Sequence, residues 1–278
     1  MPDQKTAIVT GASAGVGKEA ARQLLALGWR VIGVGRDPAR CAAAEAELAA
    51  PQFTMLRADL SSLADVARLA EEIRVCAPQI DALLNNAGGT QAVRRTTPEG
   101  LEATFAANHL APFLLTQKLL PALGRGARVI AVSSTGHEHC PGMNWDDLQF
   151  EHGWLSGAAY CQAKLANILF TRELARRYAP QGLIAHVMHP GVVASNFASH
   201  CEPGMQAYMA SIMDRAVTPD VPARTLVWLA SGAEPGAHNG GYFYAMAPAE
   251  CSPAARDDDA AARLWAASEA LVAAQLRD

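Results

Sequence analysis

From Thr6 onward, short runs of β-branched and apolar residues alternate with longer Ala- and Leu-rich stretches of helical periodicity. The strand-like runs are Thr6–Thr10, Arg30–Val34, Phe53–Ala58, Asp81–Asn85, Ala127–Ser133 and Leu183–Met188. The helical patterns between them cover Lys18–Leu27, Pro38–Ala49, Leu63–Cys76, Pro98–Leu123 and Ala158–Ala179. Each helical stretch is too long for a hairpin connection, so consecutive strands must run parallel with helices as crossovers. The pattern predicts an α/β fold: a single doubly wound, Rossmann-type parallel sheet with helices on both faces. No Pro/Ser linker or charge block divides the chain, and residues 1–278 read as one domain.

Two segments break the rhythm. His137–Gly157 is a polar insertion containing Gly, Pro and Trp between a strand and the next helix. After His189-Pro190-Gly191 the chain leaves the sheet, and Met205, Tyr208, Met209, Ile212 and Met213 fall at the spacing of one apolar helical face. A terminal helix is expected over Ala255–Leu276, with Asp257, Asp258 and Asp259 favourably placed near its positive end.

Composition narrows the ligand class. Half of the 278 residues are hydrophobic (50%) and 18% are charged, which excludes disorder. With 23 Lys and Arg against 27 Asp and Glu, the formal charge is −4, and nothing resembles the clustered cationic surface that nucleic acid requires. Small molecules become the expected partners. The six cysteines are scattered with no Cys-x-x-Cys pair, pointing to free thiols in the cytoplasm. No signal peptide is recognisable, and no run approaches the ~20 apolar residues of a membrane span.

The first strand runs directly into Thr10-Gly11-Ala12-Ser13-Ala14-Gly15-Val16-Gly17, which opens the first helix. Glycines at these positions allow a tight turn and close backbone approach, so a pyrophosphate can rest on the unpaired N–H groups and positive dipole end of that helix. Further along, Tyr160 and Lys164 stand four residues apart on a helical pattern and so share one face. Bringing a phenol from a pKa of about 10 to about 7 requires roughly 4 kcal/mol. An ammonium about 4 Å away at an effective dielectric near 20 supplies roughly that amount.

The Gly-x-x-x-Gly-x-Gly spacing resembles that of the short-chain dehydrogenase/reductase family. The resemblance continues in order through Asp59-Leu60, Asn85-Asn86-Ala87-Gly88, Asn108, Ser133-Ser134, Tyr160-x-x-x-Lys164 and Pro190-Gly191-Val192-Val193-x-Ser195, covering nearly the whole chain. Trp145-Asp146-Asp147-Leu148, the residues from Tyr160 to Asn167, Asn108-His109-Leu110 and Leu174-Ala175-Arg176-Arg177 resemble the retinol-dehydrogenase-like branch. That branch has an amino-terminal membrane anchor, which is not expected here, and Pro112 and Ala163 replace residues common in it.

The resemblance implies a dinucleotide site built from Gly11, Ser13, Ala14, Gly15, Val16, Gly17, Arg36, Asp59, Leu60, Asn86, Ala87, Gly88, Tyr160, Lys164, Pro190, Gly191, Val193 and Ser195. Asp59 and Leu60 would border the adenine, and Asn86 to Gly88 would line its ribose side, with Asn85 a structural brace. The family's NAD-selecting acid position holds Gly35, and Arg36 follows it, so NADP(H) is preferred. NAD(H) is the alternative, since Ala14 replaces a basic residue of many NADP-using relatives and Asp37 could turn toward the ribose.

The resemblance also assigns the chemistry. Tyr160 is the general acid in reduction and the base in oxidation, Lys164 lowers its pKa and holds the nicotinamide ribose, and Ser134, rather than Ser133, binds the substrate oxygen. Asn108 positions a water linking Lys164 to solvent. No metal is expected from His137 and His139, because no thiol or carboxylate completes a tetrahedral set by spacing. A substrate lid is expected at about 196–219, where methionines suit varied hydrophobic ligands, with an oligomer contact as the alternative reading of the Met205–Met213 face.

The chain is thus expected to be a cytoplasmic NADP(H)-dependent oxidoreductase acting on a hydrophobic ketone, aldehyde or alcohol, assembled as a dimer or tetramer like others of the family. An NAD-dependent alcohol dehydrogenase running oxidatively and a non-catalytic dinucleotide sensor are the alternatives.

Overall fold

Every residue of the first strand, β1 (Thr6–Thr10), is buried, as befits the centre of a parallel sheet covered on both faces. In a computed structural model describing residues 4–195, 197 and 201–276, it is joined by β2 (Arg30–Gly35), β3 (Phe53–Arg57), β4 (Ile80–Asn85), β5 (Leu123–Val132), β6 (Ile184–Met188), β7 (Tyr242–Tyr244) and β8 (Ala247–Pro248). These form one eight-stranded sheet in the order β3-β2-β1-β4-β5-β6-β7-β8. All pairings are parallel except β7 with β8. This is the doubly wound α/β architecture that the alternating pattern predicts.

Successive residues of the central strands point to opposite faces and found two separate cores. Ile8, Ile32 and Leu83 join the core beneath α3 (Leu63–Cys76), α5 (Ala111–Leu119), α6 (Ser156–Tyr178) and α9 (Asp258–Gln275). Ala7, Val9, Val31, Ala82 and Leu84 join the other, beneath α1 (Gly15–Ala26) and α8 (Asp220–Ser231). Both β2 and β3 are bridged by α2 (Pro38–Leu48), whose first turn is capped by the Asp37 carboxylate accepting from Arg40 N at 2.8 Å.

Several boundaries differ from the pattern for identifiable reasons. The helix expected from Pro98 begins only at α4 (Ala103–Phe105), because Gly100 turns the chain at φ +81. The Glu102 carboxylate then caps Thr104 N and Phe105 N at 3.0 and 2.7 Å. A π-helical segment, Ala106–Leu110, separates α4 from α5. The strand expected at Ala127 begins at Leu123, with a register shift against β4. Both β7 and β8 are too short for periodicity to reveal, and α8 has no counterpart among the predicted helices.

The expected single apolar face at Met205–Met213 is not formed as such. The helix there, α7 (Pro203–Ser211), ends before Ile212 and Met213, which enter a 3-10 turn, and none of its residues is buried. Tyr208 is 57% and Met213 42% exposed. Residues 196 and 198–200 of the expected lid lie outside the described residues. Among the described residues, no helix is long and apolar enough to cross a membrane.

The terminal helix α9 is capped by Asp257, which accepts from Ala260 N at 2.9 Å. Trp265 inserts between Phe113 (ring centroids 5.1 Å apart) and Phe170 (6.0 Å), while Arg177 lies 4.7 Å over its ring. Truncating this side chain opens a cavity across three helices. Trp265→Ala is therefore expected to lower unfolding free energy by about 3–5 kcal/mol in urea denaturation; a loss under about 1 kcal/mol would mean that α9 contributes little to the core.

Candidate active site

The strand order reverses between β1 and β4, and the loops that leave their carboxyl ends diverge there, which is where open α/β sheets hold ligands. Gly11 turns at φ +73 and donates to Val34 O at 2.8 Å, folding the glycine loop back over β2. A Cβ at Gly17 would stand 2.5 Å from Asn86 Nδ2, so these glycines admit the 86–88 segment against the loop. Thr10 fastens the two together: its hydroxyl accepts from Asn86 N and Ala87 N, each at 3.0 Å, and donates to Leu84 O at 3.2 Å. Asn86 Nδ2 returns a bond to Thr10 O at 2.8 Å.

The loop fits a phosphate ligand. Ala14, the N-cap of α1, supplies no side-chain cap to the first-turn N–H groups, and a Cβ at Gly15 (φ +56) would meet nothing within 4 Å. Ser13 lies against Gly35, where a Cβ would come within 2.7 Å of Cys41 Sγ and 3.1 Å of Ser13 Cβ. At the same edge Arg36 is largely exposed, its guanidinium 3.8 Å from Asp59. Asp59 Oδ1 accepts from Ser61 N and Oγ at 3.0 and 2.8 Å, while half-buried Leu60 packs on the core. Asp37 is committed to capping α2. Asn85 is buried and donates to Thr116 Oγ1 of α5 at 3.1 Å.

Four further sequence-predicted residues converge beside this cleft. Lys164 is buried on α6 and its Nζ donates to Val132 O, at the end of β5, at 3.1 Å. The same amine lies 5.5 Å from the centre of the Tyr160 ring. Ser133 and Ser134 diverge: Ser133 Oγ donates to Lys164 O at 2.7 Å and is buried, whereas the Ser134 hydroxyl interacts with Tyr160.

Asn108 sits in the π-helical segment, where the widened turn lets its side chain take the backbone partner that an α-helix would use itself. Nδ2 donates to Thr104 O at 2.8 Å and to Gly89 O at 2.9 Å, and Oδ1 accepts from Gly89 N at 3.0 Å. A Cβ on Gly88 would stand 2.6 Å from Asn108 Oδ1 and 2.9 Å from Lys164 Nζ, so the bare backbone is what brings the segment so close.

Burial dominates the electrostatics. It pushes the Tyr160 phenol up to about 12, opposed by the Ser134 hydroxyl, and pushes Lys164 down to about 8. The expected lowering of Tyr160 toward 7 by Lys164 is therefore not met in the protein by itself, because desolvation of the buried phenolate dominates. Tyr160 keeps its proton at neutral pH.

The segment after β6 completes the mouth. Gly191 turns at φ +73 beneath the Tyr244 ring, which would touch a Cβ there at 3.2 Å, and donates to His189 Nδ1 at 3.3 Å. Val193 bridges to Val217, and Ser195 Oγ accepts from Phe197 N at 3.4 Å. The Phe197 ring stands 5.3 Å from that of Tyr160. Phe197 and Tyr244 were not foreseen at the site, an aromatic two positions beyond Ser195 being the one available signal; His137, expected only as part of a polar insertion at the pocket rim, is buried behind Ser134. His139 is exposed while His137 is buried, and among the described residues no group of three His, Cys, Asp or Glu could hold a metal ion.

Comparison with known proteins agrees with this architecture. A family model described as short chain dehydrogenase matches residues 5–206. The chain is 36% identical to human retinol dehydrogenase 14 over 290 residues, covering 96% of this chain and 86% of that protein. Among solved structures, a Mycobacterium paratuberculosis protein superposes with TM-score 0.80 at 34% identity, covering 97% of this chain and 94% of the other. Pseudomonas aeruginosa RhlG, solved as an NADP active-site complex, has TM-score 0.69 at 29% identity, covering 86% and 93%.

The buried amine gives a pH signature. Lys164 titrates at about 8 when folded against 10.5 for an unperturbed lysine, so between those values the unfolded chain binds a proton that the folded protein does not. Its contribution to stability accordingly rises with pH across that window, by about 1.4 kcal/mol per unit. The stability advantage of Lys164→Met over the parent should be greatest at pH 8 and shrink toward pH 10.5 in denaturant titrations. Parallel curves would contradict the assignment.

Proposed function

Because the chain belongs to the short-chain dehydrogenase family, in its retinol-dehydrogenase-like branch, we propose that it is an NADP(H)-dependent oxidoreductase moving a hydride between nicotinamide and a hydrophobic ketone, aldehyde or alcohol. The observation that carries this reading is the convergence of Tyr160, Ser134, Lys164 and Asn108 beside the uncapped start of α1. A bound nicotinamide would supply the hydride and, when oxidised, a positive charge.

The protein's own residues divide the remaining work. Tyr160, protonated at neutral pH, donates its proton to the carbonyl oxygen, and the Ser134 hydroxyl offers a second hydrogen bond as charge develops there. Lys164, held by Val132 O and pressed against Gly88, faces the cleft to bind ribose hydroxyls and to place positive charge behind the phenol. Asn108 holds the Gly89 backbone through both its N–H and its carbonyl, which fixes the 86–89 loop beside Lys164. Residues 1–278 act as one domain, and α7 with the segment to about residue 219 serves as a lid over an apolar substrate. The six free cysteines suit the reducing cytoplasm.

Three features favour NADP(H) over NAD(H). Gly35 is packed too closely for the ribose-binding acid of NAD-selective relatives, Asp37 is occupied as a helix cap, and Arg36 is exposed and only loosely paired. Arg36→Ala should weaken NADPH binding about tenfold, the loss of one charged hydrogen-bonding contact, while leaving NADH binding unchanged. Equal effects on both dinucleotides, measured by fluorescence titration, would remove the arginine from phosphate recognition.

Activity is tested by NADPH consumption with lipophilic carbonyls, including decanal and all-trans-retinaldehyde. Tyr160→Phe should lower kcat by about 10²–10⁴ with NADPH affinity little altered. A variant that keeps its rate within a few-fold would overturn the proton-donor role. Tight dinucleotide binding without turnover in either direction would favour a sensor instead.

A further inference from the structure

His137 is fully buried; among the described residues it belongs to no metal-holding group, and it is not one of the proton-transfer set. Its two ring nitrogens join distant parts of the chain. Nδ1 lies 2.7 Å from the carbonyl oxygen of Ser134, and Nε2 accepts from the backbone N–H of Ser252 at 3.1 Å. The ring also packs edge-on against Tyr242 of β7, with centroids 5.3 Å apart. A backbone N–H can only donate, so Nε2 carries the lone pair, the proton sits on Nδ1, and Nδ1–H donates to Ser134 O.

Ser134 is therefore held at two points. Its hydroxyl oxygen accepts from Gly136 N at 3.1 Å, and its carbonyl takes both His137 N, at 3.1 Å, and the imidazole. Both contacts orient the turn that aims its hydroxyl toward Tyr160. The side chain of Ser252 is not involved, since its buried hydroxyl has no partner.

We propose that His137 is a positioning residue for Ser134, holding its carbonyl through Nδ1–H, with Ser252 N serving to set the tautomer. This rests on the reading of Ser134 as the hydroxyl that binds the substrate oxygen. An asparagine reproduces the Nδ1 donor and lacks the Nε2 acceptor, whereas a glutamine reaches the Nε2 position and lacks the donor to Ser134. The two variants thus separate the tether to Ser134 from the tether to Ser252.

The test compares His137→Asn, His137→Gln and Ser134→Ala in the NADPH assay with decanal or all-trans-retinaldehyde, reading kcat, KM and NADPH affinity. His137→Gln should lose at least tenfold in kcat with KM and NADPH affinity within about twofold, and His137→Asn should stay within about threefold of the parent. Equal losses in the two variants, no loss in either, or KM moving together with kcat would overturn the inference while leaving Ser134 in its role. Full activity in Ser134→Ala would instead overturn the reading of Ser134, and this inference with it. Nitrogen NMR of the unaltered protein, with its eight histidines labelled, gives an answer that does not depend on whether a variant folds. A proton on Nδ1 of His137 is expected, and an Nε2–H tautomer would overturn the proposal.

Discussion

The site depends on keeping one amine out of water. An ammonium is strongly hydrated, and Lys164 exchanges that hydration for a hydrogen bond to Val132 O at the end of β5. The surroundings are arranged around this demand. Ser133 clamps the Lys164 backbone carbonyl, Asn167 Nδ2 shares the Val132 oxygen at 3.2 Å, and the bare backbone of Gly88 approaches the amine closely on another side. The amine consequently titrates near 8, close enough to neutrality that a modest negative influence in the cleft would secure its charge. Tyr160 responds to the same dry environment in the opposite sense, its phenol raised as the amine is lowered, because burial favours the uncharged form of each.

Polar groups can be gathered here because the backbone makes room for them. The π-helical turn at Ala106–Leu110 interrupts the usual pairing, frees the Thr104 carbonyl for Asn108 Nδ2, and turns that amide toward the loop after β4. Thr10 performs the equivalent service between β1 and β4, satisfying two N–H groups and one carbonyl from a single hydroxyl. Each of these side chains replaces backbone partners that sheet and helix cannot supply where strands end, as the burial of unpaired amides would be costly.

The layout of the fold was legible wherever a segment is buried on a regular period. The helix Leu63–Cys76 and the strand Thr6–Thr10 occur with the boundaries that their residues imply, because Ser62 caps the one and burial on both faces defines the other. What periodicity cannot express is a change of hydrogen-bonding rule within an apolar run. The late start after Glu102 and the π-helical turn both lie inside one continuous helical pattern, and two short edge strands carry too few residues to make a pattern. The spacing of Tyr160 and Lys164 was readable as a shared helical face. Their titration was not, since it depends on how many atoms pack around them. Likewise Gly35 and Asp37 were visible as residues, but only packing against Cys41 and capping of Arg40 N show what they are committed to.

Anchoring is uneven around the cleft, and this bears on how such a fold can vary its substrate. Ser134 is fastened by short bonds to a turn and to a buried imidazole, and Lys164 and Asn108 sit in segments that are almost wholly buried. In contrast, α7 contributes no buried residue, and the terminal carbon of its Met205 would lie 4.0 Å from a Cβ at Gly157, at the start of α6. An element with so little buried surface has low local stability and takes its position from whatever it closes against. Substitutions in it would disturb neither the sheet nor the buried amine, so the apolar surface offered to a substrate can change while proton-transfer geometry does not. Rigidity at the strand ends and slackness in α7 are therefore two consequences of the same distribution of buried area.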